Sequence, residues 1–232
     1  MKLPERIISY SLYGNNNIYQ HGMVENCIIA KNLFPNWCVW IYYNDTIDEY
    51  IVNVLKSFDN VKLIHIFNDE KSARNTMWRF LPMFDETNIV ISRDADSRLC
   101  DQDVTLVENW LNSTYDFHIC RTNKKHFWPV IASTFGCRNG CLSNYKHIYD
   151  DFYQTNDGWY IDQKFLKEIY NLIPQGNILA HSCRQRRDSR CKFNNETKVA
   201  ISNEDTFIGK TYSNYVTDYF ENLICLMKHL KT

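Results

Sequence analysis

Residues 88–103 read NIVISRDADSRLCDQD, an apolar run that ends in two aspartates one residue apart, with an arginine on each side. Ile89 to Ser92 have the length and content of a short buried strand. Asp94 and Asp96 leave its carboxyl end two positions apart, and in extended chain alternate side chains share a side. The spacing therefore predicts two adjacent carboxylates. Like charges that close raise each other's pKa unless a cation or a bonding partner lies between them. Three candidates meet that need: a metal ion, Arg93 with Arg98, or an ordinary turn in which no cation is required.

The same strand character recurs on either side of this stretch. Runs at 6–12 (RIISYSL), 37–43, 61–67, 116–120, 130–135 and 177–182 are apolar and nearly continuous rather than alternating. Between the first four strands the apolar positions take helical spacing. Met23, Cys27, Ala30 and Phe34 mark the first helix, and Ile47, Ile51, Val54, Leu55 and Phe58 the second, with Asp45 or Thr46 as its cap. A third, SARNTMWRFLPMF, starts at Ser72 and has its last turn limited by Pro82. Strands separated by helices predict an α/β fold with a largely parallel sheet covered on both faces. Ligands of such sheets bind beyond the carboxyl ends of the strands. SLYG, Ser11 to Gly14, closes the first strand and is expected on the same edge as the aspartates.

A chain of 232 residues, 44% hydrophobic and 15% aromatic, can bury one sizeable core, and no Pro/Gly/Ser-rich linker divides it. One domain over 1–232 is expected, with halves at about 1–100 and 101–210 and a terminal helix at about 215–231. A formal charge of −1 gives no global drive toward nucleic acid. The start of the chain lacks the pattern of a signal peptide, and no apolar run has transmembrane length. Nine scattered cysteines without a CxxC pair favour reduced thiols and a cytoplasmic setting. Cys137 with Cys141, and Cys183 with Cys191, have the wide spacing of small buried apolar residues more than that of a zinc site.

Several further groups can carry chemistry. Asp162, three and four residues before the apolar Phe165 and Leu166, is expected on the inward face of a helix over 158–173. There it is either a general base or orienting carboxylate, or a first-turn acid of an ordinary helix. HSCRQRRDSRCK, 181–192, holds four arginines and one lysine against one aspartate, a net of four positive charges. That suits a phosphate grip, a nucleic-acid or acidic-lipid patch, or a solvated loop. His181 is either a third metal ligand or a core histidine. Asn75 and Arg79 share one side of the third helix, beside the acidic strand.

The ordered set SLYG, MWRFLP, ISRDADSRL, FGCRNG, DQKFL and a late histidine resembles small nucleotide-sugar glycosyltransferases of the GT-A fold, of the kind found in bacteria and large DNA viruses. The resemblance implies a mixed, mostly parallel central sheet flanked by helices. It implies transfer of a sugar from a nucleotide-sugar donor, a UDP-sugar before others, to a glycan or other hydroxyl acceptor. Asp94 and Asp96 would hold Mn²⁺ or Mg²⁺ on the donor diphosphate, with His181 as a late metal ligand. Ser11, Leu12, Tyr13 and Gly14 would hold base and ribose. Asp162 and Gln163 would lie near the sugar and acceptor, Asp162 as the catalytic group. Asn75, Arg79 and Arg93 complete the expected substrate contacts. Where relatives follow the histidine with a glycine-and-lysine motif this chain has SCRQRR, so arginines, or Lys210, would meet the diphosphate. The competing readings are a nucleotidyltransferase on the same fold and a haloacid-dehalogenase-type phosphatase. The latter places its aspartate pair after the first strand and not the fourth.

Overall fold

The computed structural model describes residues 5–68, 70–86, 88–123, 126, 128–174, 176–183, 196–200 and 208–209. β1 (Arg6–Leu12), β2 (Cys38–Asn44), β3 (Val61–Ile66) and β4 (Ile89–Ser92) alternate with α1 (Asn17–Leu33), α2 (Glu49–Lys56) and a 3-10 segment, Ala73–Phe84. α3 (Asp101–Leu111), β5 (Phe117–Arg121), β6 (Phe135–Cys137), α4 (Lys146–Thr155), α5 (Ile161–Leu172), β7 (Ile178–Ser182) and β8 (Thr197–Ala200) follow. They build one eight-stranded sheet in the order β3-β2-β1-β4-β6-β5-β7-β8. β6 runs antiparallel to β4 and to β5, and every other pairing is parallel.

Burial explains the near-continuous apolar strands. Ile8, Tyr10 and Leu12 of β1 face a cluster with Met23, Cys27 and Leu55 from α1 and α2, whereas Ile7 faces Phe80, Phe165 and Ile169 on the opposite side. Helices on both faces leave no solvated side for polar residues to alternate onto. α1 begins where the Asn16 side chain accepts from Ile18 N at 2.9 Å.

Three expectations are corrected. α2 is capped by Asp48, which accepts from Tyr50 N at 2.8 Å, and not by Asp45 or Thr46. Thr46 instead accepts from Gly14 N at 2.6 Å, which ties it to the loop after β1. The third helix does start at Ser72, but winds as 3-10 turns. Asn75, Met77, Trp78, Arg79, Phe80, Pro82 and Met83 are all buried, more of its circumference than one α-helical stripe presents, and Pro82 supplies no amide. Of the strand expected at 130–135 only Phe135 enters the sheet, because Ala132–Thr134 turn as a short 3-10 helix whose Ala132 carbonyl accepts from Ser92 Oγ. The expected terminal helix, Lys210 and the basic cluster 184–192 lie outside the described residues. No helix among the described residues is long and apolar enough to cross a membrane.

Candidate active site

The chain leaves β3 on one flank of the sheet and returns to β4 on the far side of β1. The two crossovers thus part between β1 and β4, the place where wound sheets open a crevice at the carboxyl ends of their strands. A cleft of about 560 Å³ lies there, lined by Ser11, Tyr13, Gly14, Arg79, Asp94, Asp96, Asp162 and Gln163 among others.

Asp94 and Asp96 reach the cleft together, though not through strand alternation. The chain turns directly after β4, with Ser97 N donating to Asp94 O at 3.3 Å and Ser97 Oγ donating to the same oxygen at 3.0 Å. The turn packs closely on α1. A Cβ at Gly22 would stand 2.3 Å from Ala95 O, so a glycine is required for the helix and the acidic turn to touch. Burial, followed by the charge of Asp94, raises the Asp96 carboxyl to about 6. The Tyr19 hydroxyl hydrogen-bonds it and acts in the opposite direction.

Neither flanking arginine neutralises the pair. Arg93 turns under α3, where its Nε donates to Asp103 Oδ1 at 2.9 Å, and Asp103 also accepts from Cys100 N to cap that helix. Arg98 pairs with Glu25 of α1. The cation comes from the 3-10 segment: buried Arg79 donates through one terminal nitrogen to Asp94 and through the other to Asp162. Burial alone would lower its pKa, but the two carboxylates outweigh it and raise the value. Ser11 places this arginine, since its hydroxyl donates to Thr76 O at 3.2 Å and accepts from Arg79 N at 3.0 Å.

Asp162 sits in the first turn of α5, 8% exposed, with Oδ1 accepting from Gln163 N at 2.7 Å. The Gln163 amide, oriented to satisfy both partners, donates to Val130 O at 2.8 Å and accepts from Ala132 N at 3.1 Å. Gly14 bends the loop after β1 with φ +81°, and its carbonyl accepts from Gln20 at 3.3 Å. Beside it the Tyr13 ring meets Trp78 edge-on at 6.1 Å, and burial pushes its phenol up to about 12.

Four expected residues do not line the cleft. Leu12 belongs to the core between β1, α1 and α2. Asn75 is 1% exposed and spends its amide on Glu70 O at 2.7 Å. Arg93 is held by Asp103, as above. His181 is buried on the other side of β4, with Nδ1 2.9 Å from His118 Nε2 and Nε2 2.9 Å from Asn109 Oδ1. Burial lowers it to about 4.

No protein-family model matches the chain, and no curated protein matches it. Solved structures share its architecture at low identity. A glycosyltransferase involved in the glycosylation of the major capsid of PBCV-1 is 14% identical, covering 78% of this chain and 83% of its own, with TM-score 0.51. The galactosyltransferase LgtC, in complex with donor and acceptor sugar analogues, is 12% identical over 95% of each chain, TM-score 0.54. A 4-diphosphocytidyl-2C-methyl-D-erythritol synthase from Anaerococcus prevotii is 8% identical over 98% of this chain and 96% of its own, TM-score 0.51. The chain has a GT-A fold.

In this GT-A sheet the cleft wall includes residues that the sequence reading passed over. Tyr19, Trp159 and Tyr160 line it, and they are 39%, 75% and 54% exposed. Tyr160 also has φ +67°, an unusual backbone for a non-glycine residue, directly before α5. The signal was present as GWY in front of Asp162, two aromatics too close to a loop glycine to join the buried stripe of the helix. Tyr19 carries less of a signal, being one more residue on an amphipathic helix.

Proposed function

We propose that the chain is a glycosyltransferase that moves a sugar from a nucleotide-sugar donor, a UDP-sugar in the first instance, to a hydroxyl of a glycan acceptor. One observation carries the reading: Asp94, Asp96, Arg79 and Asp162 converge in a single cleft at the β1/β4 crevice of a GT-A sheet. A divalent ion suits this donor set. Three carboxylates against one guanidinium leave two negative charges, and Asp96, raised first by burial and then by the charge of Asp94, is a carboxylate that an arriving cation would stabilise. Asp94 and Asp96 would hold Mn²⁺ or Mg²⁺, hard ions that favour carboxylate and phosphate oxygen. When bound, the ion supplies charge stabilisation for the departing nucleoside diphosphate.

The remaining roles fall to the chain itself. The Tyr13–Gly14 loop provides a ring and an open backbone for base and ribose. Arg79 offers a fixed, buried positive charge next to the place where leaving-group charge develops. Asp162, anchored at both oxygens, orients the acceptor hydroxyl or takes its proton. A nucleotidyltransferase shares the fold, as the diphosphocytidyl-erythritol synthase does, but the loop after β1 here, SLYGNNN, has neither lysine nor arginine and a single glycine.

Calorimetry with UDP and a panel of nucleotide sugars, with Mn²⁺ and with chelator, tests the proposal. Binding is expected to be weak without metal and to strengthen on adding it. Equal affinity in both conditions would remove the metal from the reading. Pyrophosphate release from a nucleoside triphosphate and a sugar phosphate would favour nucleotidyl transfer.

The exposed pair Trp159 and Tyr160 gives a second expectation. An aromatic face at the mouth of the cleft suits the apolar face of a sugar ring. Trp159→Ala should raise the acceptor KM about tenfold, the equivalent of a contact of roughly 1–1.5 kcal/mol, and leave acceptor-independent donor hydrolysis unchanged. Paired kinetics of transfer and hydrolysis would show it, and an unchanged KM would move the acceptor elsewhere.

A further inference from the structure

We propose that His118, Cys120 and His181 form a separate buried metal site for a thiophilic divalent ion, zinc before others. None of the three lines the cleft. Strand register brings them together. His118 and Cys120 are alternate residues of β5 and so share one face of the sheet. β7 runs parallel beside it with His181 opposite Cys120. His118 Nε2, His181 Nδ1 and Cys120 Sγ converge so that all ligand atoms lie within 4.8 Å of one another. His118 Nε2 is 2.9 Å from His181 Nδ1 and 3.3 Å from Cys120 Sγ. Tetrahedral zinc, with bonds of about 2.0 Å to nitrogen and 2.3 Å to sulfur, sets its ligand atoms roughly 3.3–3.6 Å apart, so the two distances from His118 Nε2 need lengthen by only a few tenths of an ångström.

Hydrogen bonding alone accounts poorly for this geometry. Asn109 Oδ1 lies 2.9 Å from His181 Nε2, which makes that nitrogen the donor and turns the Nδ1 lone pair toward His118. His118 Nε2 must then donate to it, and its one proton is already directed there when Cys120 Sγ approaches the same nitrogen. With the Asn109 amide reversed, two donors face a single lone pair on His118. In either arrangement one close contact goes without a proper bond. An ion accepts all three lone pairs. The Asn109 contact then does what outer partners of metal-bound histidines do, fixing tautomer and ring orientation. Trp110 stacks on His118 at 5.3 Å and 11°, which holds the second ring. On binding, the Cys120 thiol proton leaves to solvent, and His118 gives up its Nε2 proton and takes one on Nδ1, remaining neutral.

The full chain would be expressed in zinc-supplemented medium, purified, and its metal content measured by mass spectrometry. One zinc ion per chain is expected to survive gel filtration and to be retained in Asp96→Asn, which alters only the cleft. Cys120→Ser and His181→Gln should lose it. Cobalt exchanged into the wild-type protein should give a thiolate-to-metal charge-transfer band in the near ultraviolet, a reading that requires no variant to fold. Metal-free protein from zinc-replete cells, a cobalt spectrum without the thiolate band, or zinc retained in a folded Cys120→Ser protein would each overturn the proposal.

Discussion

Asp162→Asn is expected to lower kcat by about 10²-fold or more, with nucleotide affinity near that of the wild type, because general base action is worth ~10²–10⁴-fold. The position argues for it. Asp162 is almost buried, yet its carboxylate lines the cleft with Oδ1 on the Gln163 amide and Oδ2 on Arg79. An asparagine can keep the first contact, but turns an amide NH₂ toward the guanidinium, so both the proton acceptor and the local countercharge are lost. A residue that served only α5 would behave differently, since loss of a helix-end acid costs about 1 kcal/mol of stability and leaves turnover alone. Steady-state kinetics on material shown to be folded by circular dichroism, alongside nucleotide calorimetry, separates the two. A less stable variant with normal turnover would make Asp162 a structural acid.

Asp96→Asn should abolish metal-dependent activity and, at neutral pH, raise the melting temperature. The folded-state pKa of Asp96 is raised from 3.8 to about 6, burial being the first cause and Asp94 the second. A carboxyl group shifted upward is held more tightly as the acid by the folded than by the unfolded chain, so its ionisation opposes folding. That penalty is absent below about pH 4, grows between about 4 and 6, and is constant above. Removing it is worth roughly 1–3 kcal/mol, which in a chain of this size is about 2–4 °C per kcal/mol. Melting curves across pH 4–8 should therefore show a gain that grows up to about pH 6 and then levels. Mn²⁺ should stabilise the wild type and leave the variant where it was. A variant no more stable than the wild type at pH 7 would mean that the two carboxylates are not in conflict.

The parts of this architecture that depend on local periodicity were legible before any coordinates. β1 to β4, α1 and the inward Asp162 follow from apolar spacing and strand length, and the crevice follows from where the strands end. The misplaced parts depend on partners remote in sequence. Arg93 and Arg98 flank the aspartates in the chain, but Asp103 and Glu25 take them, and the neutralising cation is Arg79, fifteen residues earlier than Asp94, held by Ser11 across the crevice. His181 was read against the cleft because the resemblance implied it there. Register with β5 sends it to His118 instead, and no spacing rule in one dimension pairs residues sixty-three apart. β8, separated from β7 by the basic cluster, gave only a four-residue signal.

Arg79 holds Asp94 with one nitrogen and Asp162 with the other, and this makes the two carboxylates parts of a single balance. Any cation arriving at Asp94 competes with a guanidinium already there, and whatever it displaces is handed toward Asp162 or an incoming phosphate. On the proposed reading, occupancy at Asp94 would be felt at Asp162 as a change of field carried by one side chain. Thermodynamic reciprocity would make the influence run both ways: a ligand that drew Arg79 toward Asp162 would loosen its hold on Asp94, and so tighten the grip on the proposed metal by the same factor that the metal tightened the grip on that ligand.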